Sequence, residues 1–395
     1  MFARRTNWKL APNRLTQALQ RRRAAGAEIL DLTESNPTRC GLRYEESQIL
    51  SALAQPESLQ YQPDPKGLRS AREAVAAYYA DRGAVGTNGI DPDHILLTTS
   101  TSEGYSFVFR LLCDPGDEVL VPAPSYPLFE LLADVQDVKL VPYPLFYDHG
   151  WHLDLHSLRT AITERTRTVL VVHPNNPTGS YVKPGEAEAL RQLCREHELA
   201  LVSDEVFLDY AHAGPPCPSF AGSTGALTFT LSGLSKISAL PQMKVAWIVI
   251  SGPRELAAGA RERLEMIADT YLSLSTPLQL AMPRLLEQRH SISRQLLQRI
   301  ASNLAELDSQ LVRQKDCQRL QIEGGWYAVL RVPVTRSDEE LAVELLERES
   351  VLIHPGHFYD FPGDGYLVLS LITPADTFSE GVTRLLHHIS AANPS

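Results

Sequence analysis

Nowhere in the 395-residue chain do eighteen consecutive apolar residues occur, so no membrane-spanning helix is expected. The first twenty residues are partly basic but lack the apolar segment of a secretory leader, and export loses its support. There is no C-x-x-C pair. The 5 cysteines, Cys40, Cys113, Cys194, Cys217 and Cys317, are odd in number and scattered, which fits a reducing compartment, the cytoplasm, better than a disulfide framework. No long basic block appears, and 37 Lys+Arg against 47 Asp+Glu leave a formal charge of -10, so a nucleic-acid backbone is not an expected partner. The short run Arg21-Arg22-Arg23 reads as a solvated helix face. No G-x-G-x-x-G follows a strand, no G-x-x-x-x-G-K-[ST] exists, and His197-Glu198 lacks the second histidine of a zinc helix. Nicotinamide, P-loop and zinc-protease chemistry drop out, and no metal is expected.

What remains is an ordinary globular composition, 44% hydrophobic and 21% charged, at a length that suits two domains. From Ile95 to Ser251 short apolar runs alternate with amphipathic stretches, the pattern of parallel strands joined by crossover helices. The runs are ILLT at 95–98, EVLVP at 118–122, VKLVPY at 138–143, TVLVVH at 168–173, LALVSDE at 199–205, ALTFTLS at 226–232 and VAWIVISG at 245–252. From Pro253 to about Gln314 the period becomes helical, with a break near 273–277. Beyond it, WYAVLRVP, a helix over 337–350, VLIHPG, YLVLSLI and a last helix make a compact α+β unit that the N-terminal residues are expected to join. The expected division is 1–50 with 290–395 as a small domain and 51–289 as a large one.

Lys236 follows an apolar strand among Ser232, Gly233, Leu234 and Ser235, neighbours that leave an ammonium poorly hydrated. Desolvation lowers a lysine pKa and makes the amine able to attack an aldehyde. Alone, a lysine after a strand is usually a surface residue. Asp204, however, ends the apolar strand of LALVSDEVF, where open α/β sheets place ligands, and a carboxylate there calls for a cationic partner or a helix N-cap. The pyridinium nitrogen of pyridoxal phosphate is such a partner. Asn176 lies in the turn HPNNPTG, Tyr126 follows EVLVP where its ring can stack on a planar group, and Ser100, Thr101 and Ser102 open a helix, as a phosphate cradle or a plain N-cap.

In this order and at these separations, the helix-start hydroxyls, P-S-Y, N-P-T-G, D-E-V and S-x-x-S-K resemble the class I/II aminotransferases of pyridoxal-phosphate fold type I. The resemblance covers most of the chain, including YQPDPKG, PGDEVLVP, GGWYAVL and PGHFYDF. It implies an α/β fold with a mostly parallel seven-stranded sheet and a small domain built from both chain ends. It implies pyridoxal 5'-phosphate, with Lys236 forming the Schiff base and moving the proton, and Asp204 on the ring nitrogen. Asn176 would meet the phenolic oxygen, Tyr126 the ring face, and Ser100, Thr101, Ser102, Ser235 and Lys244 the phosphate. Tyr61 would be lent to a neighbouring subunit, so a homodimer with shared sites is expected.

Three positions depart from the family. Phe207 stands where a tyrosine is common, Lys244 where an arginine holds the phosphate, and Val368 where an arginine grips the substrate carboxylate. An apolar residue cannot do that. Either Arg39 or Arg43 replaces the clamp, or the substrate has no carboxylate in that position. The expected reaction moves an amino group from an amino acid or amine to a keto acid or ketone; the alternative on the same scaffold is a lyase or decarboxylase.

Overall fold

The computed structural model describes residues 1–83, 89–214 and 217–392. Its strands, in chain order, are β1 (Leu30–Asp31), β2 (Ile95–Thr98), β3 (Glu118–Ala123), β4 (Lys139–Tyr147), β5 (Trp151–Leu153), β6 (Thr166–Val172) and β7 (Ala200–Asp204). They continue with β8 (Thr228–Gly233), β9 (Ala246–Ser251), β10 (Gln318–Arg319), β11 (Tyr327–Arg331), β12 (Val351–Leu352), β13 (His354–Pro355) and β14 (Tyr366–Ser370). One 8-stranded sheet has the order β2-β9-β8-β7-β6-β3-β4-β5. Strands β4, β3, β6, β7 and β8 run parallel, while β9 returns antiparallel between β8 and β2.

The apolar runs become these strands because helices cover both sheet faces. Every residue of β2, β7 and β8 is buried, which is why the sequence shows unbroken runs instead of alternation. Seven strands were expected and form as one mixed, mostly parallel sheet, but the sheet has an eighth. β5 pairs antiparallel with the end of β4 across the turn at Asp148, His149 and Gly150, where both His149 and Gly150 have positive φ. That turn is a hairpin signal, missed because the strand behind it has only 3 residues.

The helical stretch after β9 consists of Arg254–Tyr271, Thr276–Glu287 and Arg289–Leu311. Its first break falls where expected. The helix expected over 337–350 is α only at Asp338–Glu344 and widens to a π turn at Leu345–Glu349. Around it stand a 4-stranded sheet, β10-β11-β14-β13, and the 2-stranded pair β1-β12. Two of the three arginines at 21–23 are engaged instead of merely solvated: Arg21 pairs with Glu347 at 2.7 Å and Arg22 bonds Ser350, tying helix Arg14–Ala24 to the far end of the chain.

Strand β3 leads outward to β4, whereas β6, β7 and β8 step the other way, so the chain reverses between β3 and β6. Loops leaving the C-terminal ends of strands diverge at such a point and leave a crevice.

Candidate active site

Asp204 is the last residue of β7, in register with Val172 of β6 and Leu231 of β8. Its carboxylate is buried. The hydroxyl of Tyr105, itself buried, donates to Oδ2 at 2.7 Å, and the Val206 N–H donates to Oδ1 at 3.1 Å. Burial pushes the Asp204 carboxyl above its ordinary range, against the pull of these two donors and of Lys236.

Lys236 sits in the single turn Leu234–Ile237 that begins where β8 stops. The turn can start so close to the sheet because Gly233 has no side chain; a Cβ there would lie 2.9 Å from both the Val245 oxygen and the Ala246 Cβ. Nζ stands 4.8 Å from the ring centre of Trp326 and 5.5 Å from that of Phe207, and among the described residues no carboxylate is in ion-pair contact with it. Loss of hydration lowers its pKa to about 8, outweighing the opposing influence of Asp204 and Cys40. A useful fraction of the amine is therefore unprotonated near neutral pH.

Both residues line one cavity of about 250 Å³, shared with Thr101, Tyr126, Asn176 and Ser235 and with Ser35, Phe129, Val172, Val206, Phe207 and Tyr327. Asn176 lies in a turn braced by its neighbours: Asn175 accepts from the Thr178 hydroxyl at 2.9 Å and donates to the Pro124 oxygen at 3.3 Å, and the buried His173 ring accepts from the Val182 N–H at 3.1 Å. The turn folds tightly at Gly179, φ +68, where a Cβ would come within 2.5 Å of the Gly324 oxygen. Asn176 Oδ1 is left buried with no hydrogen-bond partner. A buried acceptor of this kind can take a hydrogen bond from a bound group. Ser100 caps helix Thr101–Leu112 by accepting from the Glu103 N–H at 3.2 Å, so the first backbone N–H groups of that helix, among them those of Thr101 and Ser102, open the helix at the cavity.

Other expected residues lie elsewhere. Lys244 is exposed in a left-handed turn outside the lining, Tyr61 is 72% exposed, and Arg39 and Arg43 are exposed. Val368 is wholly buried in β14, facing Val329 and His354 across the sheet. Tyr105, Trp326, Ser35 and Tyr327 were not singled out. Tyr327 stood inside GGWYAVL, yet nothing local to Tyr105 announces a bond to a residue 99 positions away.

The chemistry these residues offer is that of a planar, anionic aldehyde. A desolvated amine can bind the aldehyde carbon, a buried carboxylate can hold a protonated ring nitrogen, an unsatisfied carboxamide can meet a ring substituent, and a helix start can take a phosphate. Comparison with known proteins gives the class. The family Aminotransferase class I and II matches residues 28–388, and the chain belongs to it. It is 26% identical to the glutamate-pyruvate aminotransferase AlaA of Haemophilus influenzae, over 92% of this chain and 91% of that protein. It is 27% identical to the arginine-pyruvate transaminase AruH of Pseudomonas aeruginosa, covering 82% and 80%. An alanine aminotransferase structure from Pyrococcus furiosus superposes with a TM-score of 0.90 over 99% of this chain and 100% of that one; at 23% identity this likeness concerns the fold. The protein is an aminotransferase, the first of the two reactions expected from the sequence.

Proposed function

We propose that this aminotransferase works with pyridoxal 5'-phosphate held in the cavity of Lys236 and Asp204, and that it carries an amino group from an amino acid or amine to a keto acid or ketone. The observation that carries the reading is the shared cavity itself: an amine with a pKa of about 8 and a buried carboxylate open onto the same 250 Å³. When bound, the cofactor supplies an electron sink for the pair released at the donor carbon and a carbon that carries the nitrogen between half-reactions.

The rest falls to the chain. Lys236 would hold the aldehyde, and its free amine would move the proton between the donor carbon and the cofactor carbon. Asp204, whose carboxylate form the Tyr105 hydroxyl and the Val206 N–H favour against the effect of burial, would hold a proton on the ring nitrogen. The Asn176 side-chain N–H would donate to the ring oxygen, and Tyr126 would cover a ring face. Ser100, Thr101, Ser102 and Ser235 bind phosphate, while Lys244, exposed in this chain, adds long-range positive charge.

The same reading makes the protein a cytoplasmic homodimer in which Tyr61 of one subunit completes the phosphate site of the other. Tyr61, 72% exposed, is free to reach a second chain. The reading also divides the chain into 1–50 with 290–395 and 51–289, supported by the pairing of β1 with β12 and by Ser35 and Tyr327 closing a cavity whose floor is the large sheet. Among the described residues no helix is long and apolar enough to cross a membrane.

The test is to load the purified protein with pyridoxal phosphate and follow its visible absorption while single donors are added without an acceptor. The expected result is a bleached band that an oxo acid restores, absent in Lys236→Ala. Accumulation of ammonia or carbon dioxide with the band intact would overturn it.

A further inference from the structure

Lys236 and Asp204 stand at the end of the large sheet where β7 and β8 finish. Strand β9 runs the other way, so its last residue, Ser251, lies opposite Thr228, the first residue of β8, and β2 begins beside it with Ile95 paired to Val249. At this opposite end lies a second cavity of about 590 Å³ that shares no lining residue with the first. Its lining holds Arg254, Arg261 and His94, with Asp91 as its one carboxylate. Asp91 is already occupied in part, accepting from the Asp93 N–H at 2.9 Å. Among the described residues neither Arg254 nor Arg261 has an ion pair or a hydrogen bond to its side chain.

Helix Arg254–Tyr271 starts at this cavity, directly after Gly252 and Pro253, and no side chain caps it. Its first backbone N–H groups and the positive end of its dipole therefore favour an anion. Two hydroxyls ask for the same kind of guest. Ser223 is only 9% exposed and its Oγ is buried without a hydrogen-bond partner, and the Ser251 Oγ is buried and unpartnered as well. Both residues line the cavity, and each can give its proton to an acceptor placed there. His94 is pushed below its ordinary pKa by burial and by the Arg261 guanidinium, against Asp91 and Asp93, so near pH 7 its ring adds a donor N–H without adding a charge.

We propose that this cavity binds a phosphoryl group, as inorganic phosphate or as the phosphate of a small monoester, between Arg254, Arg261, the start of helix Arg254–Tyr271 and the hydroxyls of Ser223 and Ser251. A tetrahedral phosphate has acceptor oxygens for all of these donors at once, where a carboxylate has only two. The cavity is wider than the 250 Å³ assigned to the cofactor, and Ile90, Ala221 and Ala257 give it an apolar wall, so an organic group attached to the phosphate has a place to lie. The site stands apart from the cofactor's proposed phosphate cradle at Ser100 and Ser235, and the inference does not rest on the aminotransferase reading.

The test is calorimetry on holoenzyme saturated with pyridoxal phosphate, so that the cofactor's own phosphate position is filled. Inorganic phosphate and glycerol 3-phosphate are titrated, with glycerol as the uncharged control. Expected is saturable binding of one equivalent of either phosphate per chain, with a dissociation constant no weaker than about 1 mM, and none of glycerol. Arg254→Gln and Arg261→Gln should each weaken it about tenfold or more, and Ser223→Ala several-fold, with the visible cofactor band unchanged. The two arginine variants, both changed at the protein surface, carry the test where loss of the buried serine hydroxyl disturbs folding. Tighter binding of the ester assigns the site to a phosphorylated small molecule, and tighter binding of inorganic phosphate assigns it to the free ion; both uphold the proposal. Absence of saturable binding overturns it, as does binding that survives both arginine substitutions or that proceeds by displacing the cofactor. Loss of binding together with a changed sedimentation coefficient in the arginine variants would place Arg254 and Arg261 in a contact between subunits, which also overturns it.

Discussion

Lys236 is a buried amine with the rings of Trp326 and Phe207 close by, and the loss of hydration sets its reactivity. In cofactor-free protein its reaction with pyridoxal, which lacks the phosphate, should rise with pH through about 8, not through the 10.5 of a free lysine. The unprotonated form grows as pH climbs past the folded pKa, so the sign is an increase. A rate still rising tenfold per pH unit above 9 would contradict the lowered value; Lys236→Ala should show no such phase. Tyr105 is the second residue with a definite role, since its hydroxyl is the one side-chain donor that Asp204 has among the described residues. Tyr105→Phe leaves a buried carboxylate short of a partner, at a cost of about 1–3 kcal/mol. Because that donor lowers the Asp204 pKa, its loss should raise the value further and weaken cofactor binding most at low pH. Equilibrium dialysis of pyridoxal phosphate across pH reads this directly, and an unchanged dissociation constant would exclude the role.

Strand ends are where this structure concentrates its polar groups. Immediately after Asp204, the buried Glu205 accepts from Ser203 at 3.1 Å and from the Phe220 N–H at 2.7 Å, fastening the short turn Phe220–Gly222 beneath the end of β7. Burial raises the Glu205 pKa from 4.5 to about 7. The folded state therefore binds the proton more tightly than the unfolded chain does between those values, and stability from this group is lost as pH rises from 4.5 through 7. Glu205→Gln cannot titrate. Urea midpoints for wild type and Glu205→Gln should differ by an amount that changes across that window and levels off above it; a difference constant with pH would sink the assignment. The neighbouring helix start at Ser100 works by position instead of charge, and its cap would hold with or without a ligand.

Across the whole molecule, the proposed homodimer would complete the phosphate site of each chain with Tyr61 of the other. Tyr61→Phe should weaken cofactor binding in concentrated protein and have no effect on a protein diluted to monomers, a contrast that sedimentation with parallel cofactor titration can resolve. The large sheet was readable because strands buried on both faces leave continuous apolar runs, and because turn residues separate them. β5 was not, being 3 residues long, and neither was the π turn at Leu345–Glu349, which has no sequence period of its own. Of the site, residues that end strands or start helices were legible, since Lys236, Asp204, Asn176, Tyr126, Thr101 and Ser235 all occupy such junctions. Tyr105 and Trp326 were not, because they act through lining residues by packing, Tyr105 on Asp204 from inside helix Thr101–Leu112 and Trp326 on Lys236 from just before β11. The pairing of β1 with β12 carries one more consequence. Leu30 donates to the Ser350 oxygen and Ser370 donates to the Leu32 oxygen, so the segment leading to Ser35 takes its long-range backbone partners from residues more than 300 positions later. During synthesis the large sheet can assemble as soon as β9 has left the ribosome. The cavity wall at Ser35 must wait for nearly the last residues to emerge, so a chain interrupted before β14 would hold Lys236 and Asp204 in place with nothing to select what reaches them.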